Sequence, residues 1–92
     1  MKVTITEYRA LLEDVNGNDL PLSGAPVAKQ KLTAAGNATA TADETRFVRV
    51  ATDTAIHLRH GAGATDTDPM LPANSVEYFA VHEAVVLSII TA

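Results

Sequence analysis

Thr45-Arg46-Phe47-Val48-Arg49-Val50-Ala51 and, just beyond Thr52-Asp53, Thr54-Ala55-Ile56-His57-Leu58-Arg59-His60 are the stretches that decide the fold. Both are rich in β-branched and aromatic residues. In the second, Ile56 and Leu58 alternate with His57 and Arg59, which gives a strand with one buried side and one wet side. With only Thr52-Asp53 between them, the two runs read as an antiparallel hairpin. Arg46 and Arg49 fall on opposite faces of the first run. At least one is expected to meet a carboxylate at a sheet edge or a subunit boundary; the rival reading is a charge that keeps an edge from aggregating.

Towards the N-terminus, Lys2-Val3-Thr4-Ile5-Thr6 alternates at the strand period. Its continuation to Asp14 reads as a long, bent strand, with a short helix capped by Thr6 and ended by Gly17 as the rival. The Asn16-Gly17 pair favours the strand, because that dipeptide supplies the positive φ angles of a tight hairpin turn. Pro21, Gly24 and Pro26 then punctuate a loop, and Val27 to Leu32 resumes alternation with Lys29 and Lys31 on one face. Ala34 to Asp43 is all small or polar and reads as a loop or an arm, and Gly61 to Pro69 as a flexible loop. Val76 to Val81 and Ala84 to Ile90 form a second hairpin turning at His82-Glu83. The last strand is apolar on both faces, which places it centrally or beneath another subunit. The fold class that follows is all-β: a single domain over residues 1–92, a small β-sandwich or jelly-roll-like unit of about five to seven short antiparallel strands.

The 92 residues carry seven Lys and Arg against eleven Asp and Glu, a net charge of −4, and no cysteine. An acidic chain is a poor ligand for phosphate backbones, so no nucleic-acid partner is expected. Without cysteine there is no disulfide or thiolate site to stabilise a core that buries only about two-thirds of the unfolded surface, so homo-oligomerisation is expected to supply burial. The start of the sequence reads directly into a strand and not into a signal peptide, and Ala84 to Ile90 is too short to span a bilayer; the chain is expected to be soluble, with no membrane partner. Tryptophan is absent and only Tyr8, Phe47, Tyr78 and Phe79 are aromatic. A stacking platform for sugars or single strands is therefore not expected.

Catalytic chemistry finds no pattern to sit on. Ser23, Ser75 and Ser88 lie in no nucleophile motif, and Ser88, inside the apolar last strand, reads as a satisfied buried hydroxyl. His57 and His60 point to opposite faces of a regular strand, which disfavours joint metal ligation, with or without His82. Asp14 to Asp19 begins like a calcium loop, but Asp19 stands where glycine and Ala25 where glutamate would be needed. Asp66 and Asp68 read as solvated loop acids, and Asn37-Ala38-Thr39 as a chance match to a glycosylation acceptor. Neither an enzyme nor a cofactor is expected.

The runs Thr45 to Val50 with Thr52-Asp53, Leu71-Pro72-Ala73-Asn74 and Glu77-Tyr78-Phe79 resemble a family of short proteins from the structural gene clusters of tailed phages and prophages. The resemblance spans roughly residues 45 to 90, and departs where Gly61-Ala62-Gly63-Ala64 replaces a proline-containing loop. It implies a capsid decoration or cement protein on the virion surface, assembled in the bacterial host cytoplasm and often trimeric, with the major capsid protein or another virion protein as partner. No catalytic residue carries over. Arg46, Arg49, His57, Arg59, Tyr78 and Phe79 are the candidate interface residues. The alternative function is a small ligand- or carbohydrate-binding β domain on a fibre or head-tail component.

Overall fold

Two apolar strand faces, Val3-Ile5 and Ile56-Leu58, meet across one core, and the rest of the architecture follows from closing it. In this computed structural model residues 1–9, 11–13, 19–23 and 26–92 are described, the second and third of these segments through their backbone alone. The strands are β1 (Val3–Tyr8), β2 (Leu11–Glu13), β3 (Asp19–Ser23), β4 (Pro26–Leu32), β5 (Gly36–Asn37), β6 (Phe47–Thr52), β7 (Ile56–His60), β8 (Met70–Leu71), β9 (Ser75–Ala80) and β10 (Leu87–Thr91). There is no helix among the described residues. One four-stranded sheet has the order β4-β1-β6-β9, a second has β5-β10-β7-β8, and β2 pairs with β3 as a separate ribbon. All the pairings are antiparallel. The all-β sandwich is thus as expected, with more strands than expected: β5 and β8 are only two residues each, and β3 forms where a loop was expected.

Period-two alternation explains what lies inside. Val3 and Ile5 of β1 and Val48 and Val50 of β6 are fully buried, and they face Ile56, Leu58, Leu71, Leu87 and Ile89 of the second sheet. β10 lies between β5 and β7, with Leu87 and Ile89 turned to the core and Ser88 buried on its other face. Ser88, 1 % exposed, donates to the Gly61 carbonyl at 2.6 Å and accepts from the Ala64 amide at 2.9 Å. The buried hydroxyl is therefore satisfied, by the turn that folds over it. Ser88→Ala would leave a buried carbonyl and an amide short of a partner, and should cost roughly 1–3 kcal/mol in chemical denaturation.

Both expected hairpins are corrected. β6 pairs with β1 and β9, whereas β7 pairs with β10 and β8, so residues 53–55 carry the chain from one sheet to the other. The link is a corner held by side chains. The Thr52 hydroxyl donates to the Thr54 carbonyl at 2.6 Å, and Asp53 Oδ1 accepts from the Lys2 amide at 2.7 Å and the Thr54 hydroxyl at 2.9 Å. Thr52-Asp53 lacks the glycine or asparagine that a two-residue hairpin turn requires. β9 and β10 likewise belong to different sheets. Alternation reports which side of a strand is buried and not which strand lies beside it, and a corner satisfies the same pattern as a hairpin.

The strand reading of the stretch after Thr6 holds in β1 and β2, but not as one long, bent strand: β1 ends at Tyr8 in the first sheet and β2 belongs to the separate ribbon with β3. The Asn16-Gly17 turn and the calcium-like stretch Asp14 to Asn18 lie outside the described residues, although β2 and β3 on either side do pair. The loop expected around Pro21 is instead β3. The expected arm at Ala34–Asp43 is a strap: β5 pairs with β10, Ala38 and Thr41 are buried, and the Ala38 and Thr41 amides donate to the Leu87 and Val85 carbonyls at 2.7 and 2.9 Å. Asn74, at φ 58°, makes the turn before β9, a left-handed conformation asparagine tolerates better than most residues.

Candidate interaction surface

The outer face of the first sheet is set by register. Opposite the buried Val3, Ile5, Val48 and Val50 lie Thr4, Thr6 and Tyr8 of β1, Phe47, Arg49 and Ala51 of β6, Val76, Tyr78 and Ala80 of β9, and Lys29 and Lys31 of β4. Tyr8 pairs with Phe47, and their rings stack at 5.0 Å between centroids with an interplanar angle of 15°. Phe47 lies 6.2 Å from Tyr78, tilted by 43°. Three of the chain's four aromatic residues thus form a row on the solvent side of the sheet, Tyr78 being 57 % exposed. The sequence held few aromatic residues, but the register gathers three of the four on one face, two of them stacked on each other.

Among the described residues of these four strands, the charges on this face are all positive. Lys29, Lys31 and Arg49 stand on it, while the acids of the same strands, Glu7 and Glu77, share the face of Ile5 and Val50. A chain of net charge −4 therefore presents a cationic and aromatic face from an acidic body.

The six candidate interface residues do not converge. Arg49 and Tyr78 are direct cross-strand neighbours on this face. Arg46, just before β6, is exposed and donates from Nη1 to the Asp43 and Thr45 carbonyls at 2.8 and 3.1 Å. Among the described residues neither Arg46 nor Arg49 pairs with a carboxylate of its own chain; backbone carbonyls accept from Arg46. His57 and Arg59 share the outer face of the second sheet, where both hold Asp68. The Asp68 carbonyl can only accept, so the 2.8 Å contact is a hydrogen bond from His57 Nδ1–H. Arg59 Nε lies 3.2 and 3.3 Å from the two Asp68 carboxylate oxygens. The Thr65 amide donates to that carboxylate at 2.7 Å, and this bond, then Arg59, lowers the Asp68 pKa below its ordinary value. The loop 61–69 is accordingly tied down, and Asp68 is its anchor and not a solvated acid.

A lowered folded-state pKa contributes stability that is present above the ordinary carboxylate range and lost as pH falls through the lowered value. Acidification through the lowered value should therefore reduce the protection factor of the Thr65 amide, its exchange rate taken relative to the unstructured rate at the same pH, before the strands open, and Asp68→Asn should show weakened protection already at neutral pH.

Phe79 lies on the opposite face of β9 from Tyr78, with its ring edge-on to His60 at 5.1 Å. With Leu58, Arg59, His60, Asp68 and Pro69 it lines a cavity of about 380 Å³ at the flank of the sandwich. The lining carries no hydroxyl or thiol. Among the described residues no three His, Cys, Asp or Glu side chains come together in a group able to hold a metal ion. No described helix is long and apolar enough to cross a membrane.

Sequence reasoning missed Tyr8 and Phe47 as surface residues. The signal for Phe47 was present, since it alternates with the buried Val48 and Val50; the pairing that brings Tyr8 beside it was not. The chain matches no protein-family model, no curated protein and no solved structure.

Proposed function

We propose that this protein is a structural component of a tailed-phage virion, a capsid decoration or cement protein that docks on the assembled shell and strengthens it by protein contacts alone. The observation that carries this reading is the outer face of the first sheet. Tyr and Arg are the side chains that most often dominate protein interfaces, and Arg49 here is flanked by Tyr78 and by the stacked Tyr8 and Phe47. Lys29, Lys31 and Arg49 fit it to an acidic patch on the partner, the major capsid protein or a neighbouring virion protein. The family resemblance of residues 45 to 90 supplies the identity of that partner.

Co-sedimentation with assembled heads tests it. Wild type should travel with mature heads and not with free capsid subunits, while Phe47→Ser and Arg49→Glu should each weaken head binding by about tenfold or more with an unchanged far-ultraviolet spectrum. A folded protein that ignores both heads and subunits would sink the proposal.

The aromatic row also gives a specific reason to keep the carbohydrate-binding reading. Against it, Tyr8 and Phe47 stack on one another, so each covers a ring face that a sugar would need. A glycan array binding through Tyr78, abolished by Tyr78→Ala and with no affinity for heads, would favour this second reading.

A further inference from the structure

The two flanks of the sandwich are built differently. On one, β4 carries Lys29 and Lys31, charges that discourage a further strand from pairing. The Gln30 side chain there clasps the strap, donating to the Thr39 carbonyl and accepting from the Thr39 amide, both at 2.9 Å. That flank is closed. On the other flank β9 ends the first sheet and β8 ends the second, and the 380 Å³ cavity lies between Phe79 of β9 and the Leu58–His60 stretch of β7, where the short β8 leaves off. The exposed large apolar residues of the described chain, Met70, Val76 and Tyr78, are all on these two edge strands, at 57, 43 and 57 % exposure. β9 has neither lysine nor proline to protect it.

The phase of the free edge is fixed. The Val81 amide donates to the Arg46 carbonyl at 2.9 Å, so the odd-numbered residues of β9 bond inwards to β6. The N–H and C=O groups of Val76, Tyr78 and Ala80 then point outwards, towards no strand among the described residues.

We infer that this flank pairs with the same flank of a second copy, β9 against β9, antiparallel about a twofold axis at Tyr78. Side chains opposite one another must share a face, which leaves few registers. Centring on Glu77 sets two carboxylates opposite each other, a like-charge pair that destabilises a ladder. Centring on Tyr78 joins Tyr78 to Tyr78 and Val76 to Ala80, residues whose free backbone groups already point outwards, and sets Glu77 of one copy opposite Phe79 of the other. Glu77 then reaches the cavity rim where Arg59, which already holds Asp68, and the His60 ring of the second copy stand, so the flank offers side-chain N–H donors to its own carboxylate as well as a matching backbone. A foreign strand would find the same edge but not this match. Addition of β9 onto β4 of a neighbour would build an unclosed array or a ring, and the lysines and the strap oppose it, whereas a twofold pair closes and stops. The pair also joins two aromatic rows into one and supplies burial to a small core. It departs from the trimer that the family resemblance implies, and it does not depend on docking to a capsid.

Sedimentation and single-cysteine crosslinking of this cysteine-free chain test the pairing. Wild type should sediment at twice the chain mass. Tyr78→Cys should oxidise to a disulfide dimer, because directly opposed residues lie within the Cα separation a disulfide spans, while Glu77→Cys should not. Val76→Lys should give a monomer with an unchanged far-ultraviolet spectrum. A wild-type monomer at every concentration overturns the inference, including one that captures an extended peptide of another protein; so does a dimer locked by Glu77→Cys and not by Tyr78→Cys, or a dimer that Val76→Lys leaves intact. A dimer that fails to bind heads would sink the proposed function and leave the pairing standing, and a monomer that binds them would do the reverse.

Discussion

Ile5→Ala is expected to lower the melting temperature by about 10–30 °C. Ile5 is fully buried in β1, which is paired on both sides, with Gln30 of β4 and Val50 of β6 as its partners. Truncating a buried isoleucine costs about 2–5 kcal/mol, and a domain of this size has roughly 5–15 kcal/mol in all. The loss is therefore a large share of the total. Lys31→Ala, on an exposed position of β4, should by contrast stay within about 0.5 kcal/mol of wild type. Calorimetry on the two variants makes the comparison. A shift of only a few degrees for Ile5→Ala would mean that the two sheets do not close over that side chain.

The second large effect belongs to Glu7, a carboxylate only 3 % exposed on the core side of β1. Its Oε1 accepts from the Ala42 amide at 2.8 Å and from the buried Thr45 hydroxyl at 2.9 Å, which fastens the end of the strap and the entry to β6. Glu7→Ala removes the acceptor from both donors, at roughly 1–3 kcal/mol for each one left unpaired. Glu7→Gln keeps a carbonyl oxygen in the same place and should cost clearly less. Urea unfolding of the two variants gives the order. If glutamine were as damaging as alanine, the negative charge and not the acceptor oxygen would be what the fold requires.

These two residues mark what strand alternation does and does not convey. Val3, Ile5 and Glu7 share one parity, so the pattern that buried the first two also pointed to a buried acid; a polar side chain between Thr6 and Tyr8 simply looks solvated until its partners are known. Val48, Val50, Ile56 and Leu58 were legible as core for the same reason, and the apolar final run as a central strand. The sheet membership of β6 and β7 was not, because a corner at Thr52–Thr54 and a hairpin demand the same alternation. The candidate interaction surface suffered most. Tyr8, Phe47 and Tyr78 are far apart in sequence and come together only through two registers, Tyr8 with Phe47 and Arg49 with Tyr78, which no local pattern encodes. Of the six residues read as an interface, Arg49 and Tyr78 adjoin on that surface, whereas His57 and Arg59 serve the Asp68 loop and Phe79 turns to the flank cavity.

A cryo-electron microscopy map of the native particle tests most directly the idea that this sandwich works by adhesion. Density for it on the outside of the shell, with the Tyr8, Phe47 and Tyr78 face of the first sheet against the lattice, is the predicted result. A particle that lacks the protein, or holds it with that face turned to solvent, would contradict it.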